Sequence, residues 1–325
     1  MTQRRVGVLL GGWGEEKEIS IKTGEAIANA LEKRGHAVTR IIAGPGLDQS
    51  LRGAAVEVAF LALHGRMGED GKVQGLLEVM GVPYTGSGVL ASALAMNKGF
   101  AKKLFRQHNL ATPAGYVVSA GQLEQVEELH CDLGFPCVVK PSSGGSSVGL
   151  SLVHTLEQLR PAVALACRYG GEAMVERYVK GKEVTVAILG GEVLGSCEIA
   201  SPGATFDFAT KYEGGARYHL PPRLSATRIT NLETMALTAY RALGCRGAAR
   251  IDFICPDIGN EVLLEVNTLP GMTPTSLLPK IARQRGLSFE ELCEKLLAFA
   301  CLETIEVQPL PEVPAGRPGN QRHAG

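Results

Sequence analysis

The segment Val138–Gly149 reads Val-Val-Lys-Pro-Ser-Ser-Gly-Gly-Ser-Ser-Val-Gly. A short apolar strand ends at the proline, and small hydrogen-bonding residues follow it. Glycine lets a backbone approach a ligand closely, so such a run can lay N–H groups and hydroxyls along a polyphosphate. Lys140, which leaves the strand just before the run, can place a positive charge on the same phosphates. A flexible surface loop is the alternative interpretation. No Gly-Lys-Ser or Gly-Lys-Thr follows at the required spacing, so the run is not a Walker A loop.

The composition is that of an ordinary globular protein. The chain has 325 residues, enough for two or three modules with an ample core. Lysine plus arginine equals aspartate plus glutamate at 33 each, which argues against nucleic acid or an anionic membrane as the main partner. No apolar run approaches the roughly 20 residues that span a bilayer, and the N-terminal apolar run is too short for a signal peptide. We therefore expect a cytoplasmic protein.

The eight cysteines are scattered, and none forms a Cys-x-x-Cys pair. This spacing does not favour a zinc site or a disulfide framework. We expect reduced and mostly buried thiols.

Apolar runs alternate with a helical pattern in the first third of the chain. The pattern predicts strands at Val6–Leu10, Val38–Ile42 and Val56–Leu63, with a helix to about Arg34 after the first strand. This rhythm is typical of a parallel sheet covered on both faces, which binds ligands beyond the carboxyl ends of its strands. The loops Gly11–Glu16 and His64–Gly71 lie at such ends. No Gly-x-Gly-x-x-Gly fits there, so a dinucleotide site is not expected.

The remaining pattern mixes helices with short strands. A helix is expected from about Val89 to Gln107, and Tyr116–Ala166 reads as strand, helix, strand, loop, strand and helix. Further strands are expected at Ala173–Val179, Glu183–Leu189, Val193–Ile199, Gly247–Ile254 and Val262–Val266, and further helices at Thr227–Leu243 and from Ser288 to about Ala300. Phe206–Leu220 has no clear period and reads as a loop. The tail from about Gln308 is rich in proline and glycine, and we expect it to be disordered.

Two predicted strands near the C-terminus carry a charged constellation. Residues two apart on a strand share a face, so Arg250 lies with Asp252, and Glu265 lies with Asn267. If the strands pair, three oxygen ligands converge with one guanidinium, a set that suits Mg²⁺ bridging nucleotide phosphates. A buried salt bridge is the alternative. The turn at 269–273, with Ser276 and Leu277 opening a helix, offers backbone donors for an anionic substrate group.

Further short runs occur in a fixed order along the chain. They are 9–12 with Glu18–Ser20, 62–66, 68–71, 83–88, 96–98, 139–141, 145–149, 183–186, 211–212, 250–252, 265–267 and 270–272. In kind and order these runs resemble the D-alanine–D-alanine ligase family of ATP-grasp enzymes, and they cover nearly the whole chain up to about Leu302. The resemblance implies an α/β and α+β protein with an N-terminal parallel-sheet α/β domain followed by a two-lobed ATP-grasp fold. It places the N-terminal domain at 1–94, the central lobe at 95–175, the catalytic lobe at 176–304 and a disordered tail at 305–325.

The resemblance also implies a role for each matched residue. The nucleotide would be held by Lys98, Lys140, Ser147, Glu176, Arg177, Val179, Glu183 and Lys211. The two substrate molecules would be held by Glu16, His64, Arg250, Gly271, Ser276 and Leu277. Glu16, Ser146 and Tyr212 would form a hydrogen-bonded triad over the substrate, and Arg250 with the Gly271 N–H would stabilise the oxyanion. Asp252, Glu265 and Asn267 would bind two Mg²⁺ or Mn²⁺ ions.

The activity implied is the ATP-dependent joining of two D-alanines through a D-alanyl phosphate, for peptidoglycan precursor synthesis. ATP and D-alanine are the implied partners, and the family suggests a homodimer. Phe206–Leu220 would form a lid that excludes water, and Tyr212 favours a dipeptide over an ester product. One alternative is another ATP-grasp carboxylate–amine ligase with a different amino acid or hydroxy acid acceptor. The other alternative is a nucleotide-binding regulatory protein with a degenerate site. The presence of both lysines, all three metal ligands and Arg250 argues against it.

Three positions depart from the family pattern. Trp13-Gly14-Glu15 replaces small polar residues, so that Glu15 or Glu16 could anchor the first substrate. Arg177 stands where lysine is common, and Met67 stands where glycine is common.

Overall fold

The computed structural model describes residues 3–14, 16–145, 148–200 and 217–303. The strands are β1 (Arg5–Gly11), β2 (Ala37–Ala43), β3 (Val58–Leu61), β4 (Gly115–Ser119), β5 (Cys137–Pro141), β6 (Ser151–Val153), β7 (Glu172–Arg177), β8 (Lys182–Leu189), β9 (Glu192–Ala200), β10 (Arg217–His219), β11 (Ala248–Cys255) and β12 (Val262–Asn267). The helices are α1 (Lys17–Lys33), α2 (Leu47–Gly53), α3 (Lys72–Met80), α4 (Val89–Met96), α5 (Lys98–Gln107), α6 (Val126–His130), α7 (Leu156–Gly170), α8 (Ala226–Ala242), α9 (Leu277–Gln284) and α10 (Phe289–Ala298). Two 3₁₀ turns flank α6, at Ala120–Gln125 and Cys131–Leu133.

These elements build three sheets. The first is parallel, in the order β2-β1-β3, and confirms the expected N-terminal α/β unit. The second, β4-β7-β5-β6, and the third, β10-β9-β8-β11-β12, are antiparallel. The mixture confirms the expected α/β and α+β class. Among the described residues, no helix is both long and apolar enough to cross a membrane.

The core under the N-terminal sheet uses residues from both ends of the chain. Val6, Val8 and Leu10 of β1 pack with α1 and with Leu292 and Leu296 of the final helix α10. The strand predicted at Val56–Leu63 was too long, because its hydrogen-bonded part is only Val58–Leu61. Ala62 and Leu63 are still buried after the strand, and Val56 before it is partly buried, so burial rather than strand pairing accounts for their hydrophobicity.

The helix expected from Val89 to Gln107 is wrong as a single element, because it breaks at Asn97 into α4 and α5. Asn97 has an extended backbone (φ −88°, ψ 98°), and its side chain caps α5 by accepting a hydrogen bond from the Phe100 N–H at 3.1 Å. The Lys98 N–H donates to the Ser142 carbonyl at 2.9 Å. The break therefore ties the start of α5, and with it Lys98, to the glycine- and serine-rich segment after β5.

The segment expected to be a loop at Phe206–Leu220 is partly wrong, because Arg217–His219 forms the edge strand β10 against β9. Residues 206–216, which include Lys211 and Tyr212, lie outside the described residues, as do Glu15, Ser146, Ser147 and the tail from 304. All eight cysteines are free, and all except Cys131 and Cys301 are buried, as expected.

Candidate active site

A cleft of about 620 Å³ lies among the three sheets, and nine of the fifteen predicted site residues that the structure describes line its walls. They are Glu16, Lys98, Lys140, Glu176, Arg177, Val179, Glu183, Asp252 and Glu265. The residues come from distant parts of the sequence, so folding is what brings them together. The cleft is large enough for a nucleotide, since small-molecule pockets span roughly 300–1,000 Å³.

The two predicted phosphate-binding lysines point into this cleft from different elements. Lys98 begins α5, and its Nζ donates to the Gly144 carbonyl at 2.6 Å and lies 3.2 Å from Oε2 of Glu265. Lys140 sits near the end of β5, with its Nζ 2.7 Å from Oε2 of Glu176. Burial lowers the pKa of Lys140, but the charges of Glu176 and Glu265 outweigh it and raise the pKa. Both lysines therefore bring positive charge to the cleft.

The acidic constellation forms on the paired strands β11 and β12, as predicted. Asp252 lies opposite Glu265, and Arg250 lies opposite Asn267. Arg250 binds Asp252 in a bidentate manner, with Nε 2.9 Å from Oδ1 and Nη2 2.8 Å from Oδ2. Burial acts to lower the pKa of Arg250, but Asp252 raises it. The Arg250–Asp252 salt bridge is therefore present, and the Asp252 carboxylate also lines the nucleotide-sized cleft.

The donor set on these strands fits Mg²⁺. No group of three His, Cys, Asp or Glu side chains in the described part of the chain is arranged to hold a metal by itself. Mg²⁺, however, is usually bound by one or two carboxylates together with substrate phosphates. Asp252 and Glu265 supply two carboxylates on the cleft wall. Asn267 does not line the cleft wall, and its Oδ1 accepts a hydrogen bond from the Leu269 N–H at 3.2 Å.

Glu16 lies where two glycines leave room for its carboxylate. A Cβ on Gly65 would collide with Oε2 of Glu16, and a Cβ on Gly145 would come within 3.3 Å of the same atom. Gly65 also has a φ of +65°, a backbone conformation that favours glycine. The loop after β3 and the glycine-rich segment after β5 therefore meet over the Glu16 carboxylate.

A second carboxyl group, Glu69, lies close to Glu16 and was given no role by the sequence reasoning. It accepts a hydrogen bond from the Gly65 N–H at 3.0 Å and is 9% exposed. Burial and the charge of Glu16 raise the pKa of Glu69 to about 8, although the hydrogen bond from the Gly65 N–H acts to lower it. Burial and repulsion by Glu16 therefore favour the protonated form of Glu69 beside the predicted ammonium anchor.

The other predicted substrate residues that the structure describes do not line the cleft. Nε2 of His64 is 3.2 Å from Oγ1 of Thr23. Burial and the charge of Arg250 lower the pKa of His64 to about 4, although a backbone hydrogen bond at Leu269 acts to raise it. Ser276 caps the turn before α9, where its Oγ accepts from the Thr273 N–H at 3.1 Å. A Cβ on Gly271 would come within 3.0 Å of that Oγ, so the turn leaves little room for a larger residue there. Leu277, the first residue of α9, is buried.

The segment predicted to contact adenine leads from the end of β7 in the second sheet to the start of β8 in the third sheet. The Arg177 N–H donates to the Ala114 carbonyl at 2.8 Å, and the Arg177 guanidinium binds the carbonyls of Asp132 and Leu133. The Arg177 side chain therefore fixes a turn at the protein surface, and Arg177 also lines the cleft. Val179 and Glu183 follow on the cleft wall.

Comparison with known proteins identifies the family. The family models described as the D-ala D-ala ligase N-terminus and C-terminus match residues 45–87 and 107–298. The chain belongs to the D-alanine–D-alanine ligase family. It is 48% identical to the D-alanine–D-alanine ligase of Anaeromyxobacter sp. (strain Fw109-5), over 93% of this chain and 98% of that protein. It is 47% identical to the D-alanine–D-alanine ligase of Geobacter sulfurreducens, over 92% of this chain and 95% of that protein.

Solved structures of this ligase family share the fold. The D-alanine–D-alanine ligase of Bacillus anthracis complexed with ATP superposes with a TM-score of 0.81 at 34% identity, covering 91% of this chain and 97% of that one. The VanG D-Ala:D-Ser ligase of Enterococcus faecalis superposes with a TM-score of 0.80 at 28% identity, covering 92% of this chain and 99% of that one. These likenesses confirm the predicted ATP-grasp architecture of the D-alanine–D-alanine ligase family for this chain.

Proposed function

We propose that the protein joins two molecules of D-alanine and converts one ATP to ADP and phosphate, for the synthesis of peptidoglycan precursors. The observation that carries the proposal is the common cleft into which Lys98 and Lys140 face Asp252 and Glu265. Membership of the D-alanine–D-alanine ligase family supports the choice of substrate. We further propose that the protein acts in the cytoplasm as a homodimer.

The residues of the cleft suit the nucleotide half of the reaction. Lys98 and Lys140 would hold the phosphates, the backbone at Arg177 and Val179 would meet the adenine, and Glu183 would take the ribose hydroxyls. Asp252, Glu265 and Asn267 would hold two Mg²⁺ or Mn²⁺ ions, which neutralise phosphate charge when bound. The carboxylate of the first D-alanine then attacks the γ-phosphorus, and ADP leaves.

Glu16 on the cleft wall and several residues outside it suit the acyl-transfer half. Glu16 would bind the ammonium of the first D-alanine, and the turn at Ser276 and Leu277 would receive the carboxylate of the second. The amine of the second D-alanine attacks the acyl phosphate, and phosphate leaves with the dipeptide as product. Arg250 and the Gly271 N–H would stabilise the tetrahedral oxyanion. His64, neutral above about pH 4, would act as a hydrogen-bonding group rather than a charge.

A direct test is to incubate the purified protein with ATP, Mg²⁺ and D-alanine and to measure phosphate release together with D-alanyl-D-alanine. Phosphate and dipeptide should appear in equal amounts, and L-alanine should support neither. Since a structural relative at 28% identity is a D-Ala:D-Ser ligase, D-serine and D-lactate should be compared with D-alanine as acceptors. Phosphate release that does not depend on a D-amino acid would reject the proposal.

Water exclusion by the segment 206–220 is part of this proposal, because an acyl phosphate hydrolyses readily. Deleting the tip of the segment should raise ATP hydrolysis relative to dipeptide formation. An unchanged ratio of the two rates would refute the lid role. Glu16, Ser146 and Tyr212 would close the site as a triad, and Ser147 and Lys211 would add contacts to the nucleotide.

A further inference from the structure

One lysine near the cleft has no role in the function proposed above. Lys102 lies one turn after Lys98 on α5 and is only 1% exposed. It does not line the nucleotide cleft and instead borders a separate cavity of about 400 Å³. Burying a lysine costs several kcal/mol unless its charge is paired, so a fully buried lysine outside the site needs a partner.

That partner is the carboxylate that also binds the phosphate lysine Lys140. Nζ of Lys102 lies 2.6 Å from Oε1 of Glu176, and Nζ of Lys140 lies 2.7 Å from Oε2 of the same side chain. Oγ1 of Thr112 accepts a further hydrogen bond from Lys102 at 2.7 Å. The side chain of Glu176 is 3% exposed, so solvent screens this three-charge cluster little.

The strand register explains why Glu176 reaches both lysines. On β5 and β7, Val138 lies opposite Glu176 and Lys140 lies opposite Met174, so Lys140 and Glu176 are diagonal neighbours on one face. On the other side, Gly115 of β4 lies opposite Glu176, and a Cβ there would collide with the Val175 carbonyl and come within 3.1 Å of Glu176 Cγ. Glycine at this position therefore lets β4 pack closely against the β7 backbone and the stem of Glu176.

The sharing of one carboxylate between two lysines sets the charge that reaches the cleft. A carboxylate paired with Lys140 alone would cancel its charge and reduce its attraction for phosphate. Burial lowers the pKa of Lys102 to about 8, although Glu176 acts to raise it, so the cluster of two lysines and one carboxylate carries a net positive charge at neutral pH. The lysine of this cluster that faces the cleft is Lys140. Burial raises the pKa of Glu176, but the two lysines outweigh it and lower the pKa, which is consistent with an ionised carboxylate between them.

We propose that Lys102 is a positioning residue for ATP binding: by sharing the Glu176 carboxylate, it leaves Lys140 with an uncancelled charge directed at the nucleotide phosphates. This inference rests on the proposed function, since it requires that ATP binds in the cleft. Lys102 itself touches neither nucleotide nor substrate. The effect belongs to ATP affinity and not to the chemical step.

The test compares Lys102→Met with Lys103→Met, which removes the same charge from an exposed neighbour on α5. Titration calorimetry with ATP and Mg²⁺ on the full chain should give about tenfold weaker binding for Lys102→Met and no change for Lys103→Met. The kcat at saturating ATP and the KM for D-alanine should stay within about threefold of the wild type. A Lys102→Met protein that is folded and binds ATP as the wild type does would overturn the inference.

A double variant keeps the inference testable if Lys102→Met does not fold. If Lys102 acts through Glu176, adding Lys102→Met to Glu176→Gln should change ATP affinity by less than about threefold relative to Glu176→Gln alone. A larger further loss would overturn the inference. Wild-type protein that binds no ATP would instead reject the proposed function, so the two failures are distinguishable.

Discussion

Nζ of Lys98 lies 3.2 Å from Oε2 of Glu265, which joins the first residue of α5 to the strand β12. The contact shows that the predicted phosphate lysine and a predicted metal ligand face the same space, although they are far apart in the sequence. An ATP–metal complex entering the cleft would replace this contact with one between Lys98 and phosphate and one between Glu265 and the metal. The pair therefore marks the position proposed for the phosphates.

Asp252→Asn should reduce dipeptide formation by about 100-fold or more, because an amide supplies no negative charge to the metal and leaves Arg250 without its ion pair. The check is kcat/KM for ATP, with the Mg²⁺ concentration for half-maximal rate measured in parallel. Asp257→Asn, on the exposed loop after β11, is the matched control and should behave as the wild type. Activity of Asp252→Asn within threefold of the wild type would remove Asp252 from the metal site.

Glu69→Gln should retain activity within about threefold at pH 7, because glutamine resembles the protonated acid and can still accept the Gly65 N–H. The pKa of Glu69 is raised from 4.5 in the unfolded chain to about 8, so the folded state binds one more proton between these values. The free energy of unfolding contributed by Glu69 is therefore fully present below about pH 4.5 and is lost as pH rises to about 8. Denaturant unfolding across this range should show a smaller decline for Glu69→Gln, and an identical decline would show that Glu69 is ionised.

His64 should remain neutral well below the usual range for histidine, since its pKa is lowered from 6.5 to about 4. The unfolded chain then binds the additional proton between these values, so the free energy of unfolding falls as pH drops from about 6.5 to about 4. An NMR titration of the imidazole signals would measure this pKa directly. A titration midpoint near pH 6.5 for the His64 signals would contradict the prediction.

Met67→Gly should stabilise the fold by about 1 kcal/mol relative to Met67→Ala, because Met67 has a φ of +69° and only glycine adopts that conformation without strain. Both variants lose the methionine side chain, so their difference isolates the backbone effect. Thermal unfolding should place the glycine variant higher by about 2 °C. If the alanine variant unfolds at the same temperature or higher, the loop backbone must differ in solution.

Local sequence patterns predicted most of the strands and part of the candidate site. Short apolar runs predicted β1, β2 and most strands of the antiparallel sheets, and side chains on a strand repeat every two residues. The same rule placed Arg250 with Asp252, and Glu265 with Asn267, on shared faces, and the strand pairing bears it out. The ordered motifs indicated the family, and the comparisons confirm it.

Only the tertiary structure decided which distant groups meet. The helix break at Asn97 depends on contacts with residues after β5, and the pairing of Lys102 with Glu176 depends on α5 lying against β7. Likewise, α10 completes the core of the N-terminal sheet although it lies near the other end of the sequence. Local periodicity indicates which side of a helix or strand is buried. Which element packs against that side depends on contacts between distant residues, and a short stretch of sequence does not contain that information.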